Sequence, residues 1–352
     1  VIVERGAGLA ARFSDDDYAA GGARLGSAEQ VITGADVIVT VGPPDPEVSA
    51  RLHSGQVLIG LLRPWERPDA VHTWAAAGVT AVALDYLPRT ISRAQSMDVL
   101  SSQANVSGYR AAIRAADTFG GYFPMLMTAA GTVKPAEVLV LGAGVAGLQA
   151  IATARRLGAS VSGYDVRPQA RAEVASLGAK FVDLPGVVST QGEDGYAREL
   201  NPDEQRAQRA ALNAHIARAD VVITTAQVPG RRPPMMITAD AVASMRPGSV
   251  IVDIAAGPYG GNVELSRPDE TVVVEPGVTV IGAGNLASDM APAASRAYAR
   301  NVTAVLAAII TDGHVAVPND DDVIAVMTVT RNGEIVHPSL SELVTTGAGG
   351  TL

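Results

Sequence analysis

Val138-Leu-Val-Leu-Gly142-Ala143-Gly144-Val145-Ala-Gly147-Leu148 is the stretch on which the fold of this chain turns. A short apolar strand runs directly into three spaced glycines, and a helical pattern follows from Leu148 to Leu157. A second apolar strand, Ser160 to Tyr164, then ends at Asp165. Strand, glycine turn, helix, strand and acid in this order match the dinucleotide-binding fingerprint, whose acid falls about 20 residues beyond the glycines. The first glycine, Gly142, makes the tight turn. The second, Gly144, lets a pyrophosphate approach the backbone. The third, Gly147, lets helix and strand pack closely. The free N–H groups and positive dipole end at the start of the helix suit phosphate. A glycine-rich turn without a ligand is the plain alternative, and the flanking strands and acid favour the nucleotide. Asp165 favours NAD over NADP, since a carboxylate accepts from a ribose 2′-hydroxyl and repels a 2′-phosphate. Arg167 could accommodate such a phosphate or simply be solvated.

Outward from this turn, the strands Val138–Leu141, Ser160–Tyr164, Phe181–Leu184, Asp220–Thr225, Ser249–Ile254 and Val278–Ile281 complete a doubly wound parallel sheet. The first third also alternates strand and helix, with strands at Val1–Glu4, Asp36–Val41, Gln56–Leu62 and Val79–Leu84. A long helix is expected from Ser92 to Phe119 and a second from Ala291 to Thr311. Strands at Val323–Thr330 and Glu334–His337 flank Arg331-Asn332-Gly333, a hairpin signal. The fold class is therefore α/β: two Rossmann-like doubly wound domains, the first discontinuous, joined by two long helices. The expected domains are residues 1–102 with 305–338, and residues 103–304. Residues 339–352, with Gly347-Ala-Gly-Gly350, read as a flexible tail. Val1-Ile-Val-Glu4 reads as a strand already under way, as if a leading strand–helix unit were missing.

At 352 residues, with 47% hydrophobic and 18% charged, the chain is long enough for two cored domains. A net charge of −9 argues against a nucleic-acid partner. With no cysteine, thiolate chemistry and Cys-based zinc sites are excluded. The five histidines are far apart, so no metal site is expected. No apolar run reaches the ~18 residues that span a bilayer.

Several segments offer polar groups for chemistry. In Ser92-Arg-Ala-Gln95-Ser-Met-Asp98-Val-Leu-Ser101-Ser102, the residues Gln95, Asp98 and Ser102 share one helical face, with Ser101 beside it. That face suits a carboxamide or ribose, although Ser92-x-x-Gln95 also fits a capping box. Gly195-Tyr196 lies on a loop that would close over a nucleotide or be ordinary surface. Thr224 to Gly230, with Gln227, and Asp253 to Asn262 lie at strand ends, where open α/β sheets bind ligands. A dehydrogenase acting on an alcohol or amine needs an acid–base group. Lysine occurs only at Lys134 and Lys180, neither at a strand end, and no histidine lies in a glycine-rich strand-end loop.

PRTISRAQSMDVLSSQANVSGYRA (88–111), TAAGTVKPAEVLVLGAGVAGLQAIATARRLGA (128–159), DVRP (165–168), GYA (195–197), SVIVDIAAGPYGGN (249–262) and VTRNGEIVHP (329–338) together resemble the NAD(H)-binding component, domain I or alpha subunit, of proton-translocating NAD(P) transhydrogenase. The similarity covers essentially the whole chain, and alanine dehydrogenase shares the fold. The resemblance implies a Re/Si-type transhydrogenase, active only with partner subunits. NADH on this chain passes hydride to NADP⁺ held on a separate domain III, and a membrane domain couples transfer to proton movement. It implies a homodimer, cytoplasmic and peripheral to the inner membrane through those partners.

Carried over, Gln95, Asp98, Ser101 and an arginine would hold the nicotinamide. Because the family reads PRISRAQ where this chain has PRTISRAQ, that arginine is Arg89, with Arg93 as the alternative. Ala143, Gly144 and Val145 would hold the pyrophosphate, Asp165, Val166 and Arg167 the adenosine ribose, and Gly195 and Tyr196 the closing loop. Gln227 falls where the family often has Leu near the adenine. Hydride passing between two nicotinamides releases no proton at the site, which accounts for the missing acid–base group. The lysine and histidine that alanine dehydrogenase uses are replaced by Thr40 and by Leu61 and Leu62, and its loop acid is absent from AAGPYGGN. These departures argue against amino-acid oxidation. A nucleotide-binding module without turnover is the other alternative.

Overall fold

The computed structural model describes residues 1–129, 131–187, 198, 200–227 and 230–340. The chain forms two compact units, Val1–Ser102 with Ala291–Leu352, and Gln103–Met290.

In the second unit, six parallel strands lie in the order Lys180–Phe181, Ser160–Tyr164, Glu137–Leu141, Val221–Thr224, Val250–Asp253, Val278–Gly282. Thr271–Val274, unforeseen in the sequence, adds an antiparallel edge beside Val278–Gly282. The central strands are buried on both faces, because each side chain set packs under its own layer of helices. Val138, Val140, Ile223 and Val252 pack with Ile151 and Ala154 of the fingerprint helix Val145–Arg156. Leu139, Leu141, Val222 and Ile251 pack with Leu212 and Ile216 of the helix Pro202–Ile216. Asn201 opens that helix with a capping box: its side chain accepts from the Asp203 and Glu204 amides, and Glu204 reaches back to the Asn201 amide. The turn at Gly142 and the start of the fingerprint helix thus lie at the carboxyl edge of a rigid, doubly covered sheet.

The first unit is smaller. Val37–Val39, Val57–Gly60 and Thr80–Ala83 are parallel, and Thr328–Arg331 and Glu334–Ile335 continue the sheet antiparallel from Thr80–Ala83. Arg331 pairs directly with Glu334, so Asn332 and Gly333 form a two-residue turn, both at positive φ, as the hairpin signal predicts. Ile2–Glu4 and Arg24–Gly26 form a separate parallel pair, the second strand unforeseen. Ile38, Leu58, Trp74 and Val329 fill one face of the larger sheet. Val57, Ile59 and Val82 meet Tyr298, Val302 and Val305 on the other.

Four expectations are corrected. The chain returns to the first unit at Ala291, not at residue 305, because the helix Ala291–Ile309 packs Tyr298, Val302, Val305 and Ile309 into that unit's core. The long helix expected from Ser92 is two elements, a 3₁₀ stretch Ser92–Met97 and an α-helix Val99–Thr118. Asp98 breaks the run with φ −75° and ψ 86°. The strand expected from Val323 starts at Thr328, because Asp321 accepts from the Val323 and Ile324 amides and opens a helical turn, Ile324–Met327. Of the tail expected from residue 339, Leu340 instead belongs to the first unit, buried in its core; residues 341–352 lie outside the described residues.

Candidate dinucleotide site

The fingerprint turn is built by steric exclusion. Gly142 has φ +95°, and a Cβ there would lie 2.7 Å from Thr225 Oγ1. A Cβ on Gly147 would lie 1.8 Å from the Gly142 carbonyl oxygen. Among the described residues, nothing would lie within 4 Å of the same added carbon on Gly144, so none of them covers the turn there. Gly144 is the N-cap of the fingerprint helix and no side chain caps it, which leaves the first-turn amides for an anion. Gly108 of the helix Val99–Thr118 lies against Ala146, with no room for a Cβ, and locks this helix start from behind.

The expected phosphate-binding residues are therefore placed together, with one difference. Ala143 is fully buried and its amide donates to Asp165 Oδ2 at 2.7 Å, so Gly144 and Val145 carry the open part of the turn. Asp165 also accepts from the Arg167 amide at 2.9 Å and from Arg167 Nε at 3.1 Å. Val166 is half-buried against the core. Gln227 is exposed at the end of the next strand. Gly195 and Tyr196 lie outside the described residues.

Two buried polar residues hold the neighbouring strand ends. Asn262, fully buried, donates to the Ala226 and Pro234 carbonyls and accepts from the Ala226 amide. Asp253 accepts from Thr224 Oγ1 at 2.9 Å, from the Ala255 amide at 3.1 Å and from the Val263 amide at 3.2 Å. Its burial pushes its carboxyl above the usual range, against the opposing pull of these bonds. A Cβ on Gly261 would lie 2.2 Å from Asp253 Oδ2, which explains the glycine. Sequence reasoning marked these segments as strand ends but gave neither residue a role. For Asp253 the only sign was a lone polar side chain closing an otherwise apolar strand, and Asn262, in the loop beyond, offered none.

In the first unit, the RAQSMD motif makes a polar cluster. Asp98 caps the helix Val99–Thr118, its Oδ1 accepting from the Ser101 amide at 2.8 Å. Its Oδ2 accepts from Arg89 Nε at 3.0 Å and from Ser101 Oγ at 2.6 Å, and Arg89 also donates to Ser101 Oγ at 2.6 Å. Arg89, Asp98 and Ser101 are thus brought together, whereas Gln95 is exposed on the 3₁₀ stretch. The helical face shared with Ser102 does not form, because Asp98 ends one element and caps the next. Neither does the Ser92 capping box: Ile91 is the N-cap there and no side chain bonds the turn. Arg93 is engaged elsewhere, paired with Asp321 at 2.8 Å and with Asp322. Among the described residues no cluster of three His, Asp or Glu could hold a metal ion, and no helix is long and apolar enough to cross a membrane.

Both halves of the chain match one family. Residues 1–107 match the alanine dehydrogenase/PNT N-terminal domain and residues 111–338 the alanine dehydrogenase/PNT C-terminal domain. The chain belongs to the alanine dehydrogenase/PNT family. NAD(P) transhydrogenase subunit alpha of Cereibacter sphaeroides is 43% identical over 342 residues, covering 96% of this chain but 65% of that one. The chain thus spans less than two thirds of this relative's length. In Rhodospirillum rubrum, the first part of NAD(P) transhydrogenase subunit alpha is 42% identical, covering 97% of this chain and 91% of that one. The crystal structure of transhydrogenase from Sinorhizobium meliloti superposes with a TM-score of 0.82 at 43% identity, over 96% of this chain and 90% of that chain. The doubly wound units described above are those of this family.

Proposed function

We propose that this chain is the NAD(H)-binding component of a proton-translocating transhydrogenase, exchanging hydride between its own nucleotide and NADP(H) held on a partner domain. The observation that carries it is the Arg89–Asp98–Ser101 cluster within the RAQSMD motif, in a chain that also holds an open, uncapped fingerprint turn. NADH, when bound, supplies hydride from C4 of its nicotinamide. Gly144 and Val145 would bind the pyrophosphate through first-turn amides, and Asp165 would accept from the adenosine ribose. Arg89, Asp98 and Ser101, already held to one another, would orient the nicotinamide end, with Gln95 added from the preceding turn.

None of these side chains needs to take a proton, because ring-to-ring hydride transfer releases none there; position and exclusion of water supply the rate. Gly195 and Tyr196 are assigned to a loop closing over the cofactor. The chain would work as a homodimer, bound at the membrane through a separate membrane domain. The test is titration with NADH and NADPH, then addition of a purified NADP(H)-binding partner domain and an acetylpyridine analogue of NAD⁺. Selective NADH binding, with hydride transfer only in the partner's presence, is expected. Reduction of an added 2-oxo acid and ammonia to an amino acid by NADH, or no transfer with partner present, would overturn the proposal.

A further inference from the structure

The carboxylate expected to meet the ribose has no acceptor position left. A carboxylate offers about four lone-pair sites. Asp165 Oδ1 accepts from the Arg167 amide at 2.9 Å and Arg167 Nε at 3.1 Å. Its Oδ2 accepts from the Ala143 amide at 2.7 Å and from Arg167 Nη2 at 3.2 Å. One donor on each oxygen is backbone and fixed, while the other belongs to the Arg167 guanidinium and can leave. Removing the guanidinium frees one site on each oxygen, which matches the two vicinal hydroxyls of a ribose. The guanidinium has somewhere to go: Nη2 already lies 4.0 Å from Glu173 Oε2, whose side chain is 41% exposed on the helix Ala170–Ser176. It is held meanwhile by the Ala143 carbonyl at 3.1 Å.

We infer that Arg167 sets the affinity and selectivity of the nucleotide site by competing with the adenosine ribose for Asp165, and transfers to Glu173 when NAD(H) binds. It rests on the dinucleotide site proposed above. The pair is nearly buried, with side-chain exposures of 16% for Arg167 and 9% for Asp165, so water contributes little to the exchange. Arg167 therefore opposes NADH by occupying its acceptor. It favours NADPH by contrast, because a guanidinium that stays beside Asp165 offsets the acid that would repel a 2′-phosphate and can donate to that phosphate. Selectivity then belongs to the pair and not to Asp165 alone.

The test compares NADH and NADPH affinities by fluorescence titration in wild type, Arg167→Met, Glu173→Gln and the double variant. Arg167→Met keeps the stem and removes the competing charge. It should tighten NADH roughly five-fold, weaken NADPH and raise the NADH preference about ten-fold or more, on the scale of one displaced ion pair. Glu173→Gln, an exposed change safe for folding, should weaken NADH about two-fold in the wild-type background and have no effect beside Arg167→Met. Unchanged or weaker NADH binding in Arg167→Met, or a Glu173→Gln effect that persists in the double variant, would overturn the competition. Failure of the wild-type chain to bind NADH would instead overturn the functional proposal itself, and the competition with it.

Discussion

The fingerprint turn of the second unit and the RAQSMD turn of the first are shaped by opposite means. At the fingerprint, the turn's own side chains are absent: a Cβ on Gly142 would meet Thr225 Oγ1, and one on Gly147 the Gly142 carbonyl. At the RAQSMD turn, side chains do the shaping: Asp98 caps a helix while binding Arg89 and Ser101. A shape set by exclusion is broken by adding one carbon and is indifferent to charge. A shape set by a polar network tolerates volume and fails when a charge is lost. The two turns should therefore respond to different substitutions.

The largest effect is expected at Gly147. Gly147→Ala would place its Cβ 1.8 Å from the Gly142 oxygen, and Gly142, fixed at φ +95°, cannot retreat. A loss of about 3 kcal/mol is expected, with loss of nucleotide binding. Gly144→Ala adds the same carbon where no described residue lies within 4 Å and should leave the melting temperature within about 1 °C. Thermal denaturation of both variants checks the contrast; equal losses would mean the turn is not set by exclusion.

Next in size is a buried acid that neither turn uses. Asp85 follows the strand Thr80–Ala83, and desolvation raises its carboxyl to about 6, against the backbone bonds from Arg63, Leu62 and Asp85 itself and the attraction of Arg63. The folded state then holds its proton more tightly than the unfolded chain, so the contribution of this group to stability is fully present below about pH 4 and is lost as pH rises through about 6. The ionised form costs on the order of 3 kcal/mol at pH 7. Asp85→Asn keeps an acceptor for the Arg63 amide, at 3.2 Å, and should stabilise the chain at pH 7 by about 1–2 kcal/mol. The gain should vanish below about pH 4. Denaturant titrations at pH 4 and 7 check it, and a gain of equal size at both would assign the effect to something other than ionisation.

What sequence could and could not supply follows the same division. Gly142, Gly144, Gly147 and Asp165 are read from local spacing, because exclusion acts between residues a few positions apart and the strand pattern supplies the rest. Parallel order followed from the alternation of strands and helices. The RAQSMD turn was misread as continuous helix because apolar spacing runs through it. Asp98 carried the correction in its chemistry: a short acid before an apolar turn is a better N-cap than an interior residue. Asp321 before Ile324–Met327 is the same case. Asn262 and Asp253 were not readable as site scaffolding, since their partners at Ala226, Pro234 and Thr224 come from strands brought alongside only by folding. The pairing of Asp165 with Arg167 lay two residues away, but only geometry distinguishes an ion pair from a solvated arginine.

Asp98 itself offers a smaller test. Asp98→Asn retains an oxygen for the Ser101 amide but removes the charge that faces Arg89. It should cost about 1 kcal/mol in stability, leave NADH binding nearly unchanged, and slow hydride transfer about tenfold, a barrier change near 1.4 kcal/mol. Transfer at the wild-type rate would remove the cluster from the nicotinamide end and sharpen the contrast into one of folding alone.

The smallest effect distinguishes two arginines in the same motif. Arg93 is 45% exposed and pairs across the surface with Asp321 and Asp322, whereas Arg89 is 26% exposed and bonds the Asp98 that caps a helix. Exposed pairs of the first kind contribute about 0.5 kcal/mol, because water already solvates both charges and two long side chains must be ordered to meet. Arg93→Ala should therefore change stability by no more than that and leave hydride transfer untouched. Arg89→Ala should slow transfer at least as much as Asp98→Asn, since it withdraws the donor that holds both Asp98 and Ser101. The comparison needs only single-turnover transfer rates with the partner domain. A slow Arg93→Ala beside a normal Arg89→Ala would move the nicotinamide contact to the exposed arginine and show that the threonine at position 90 shifts nothing in the motif's register.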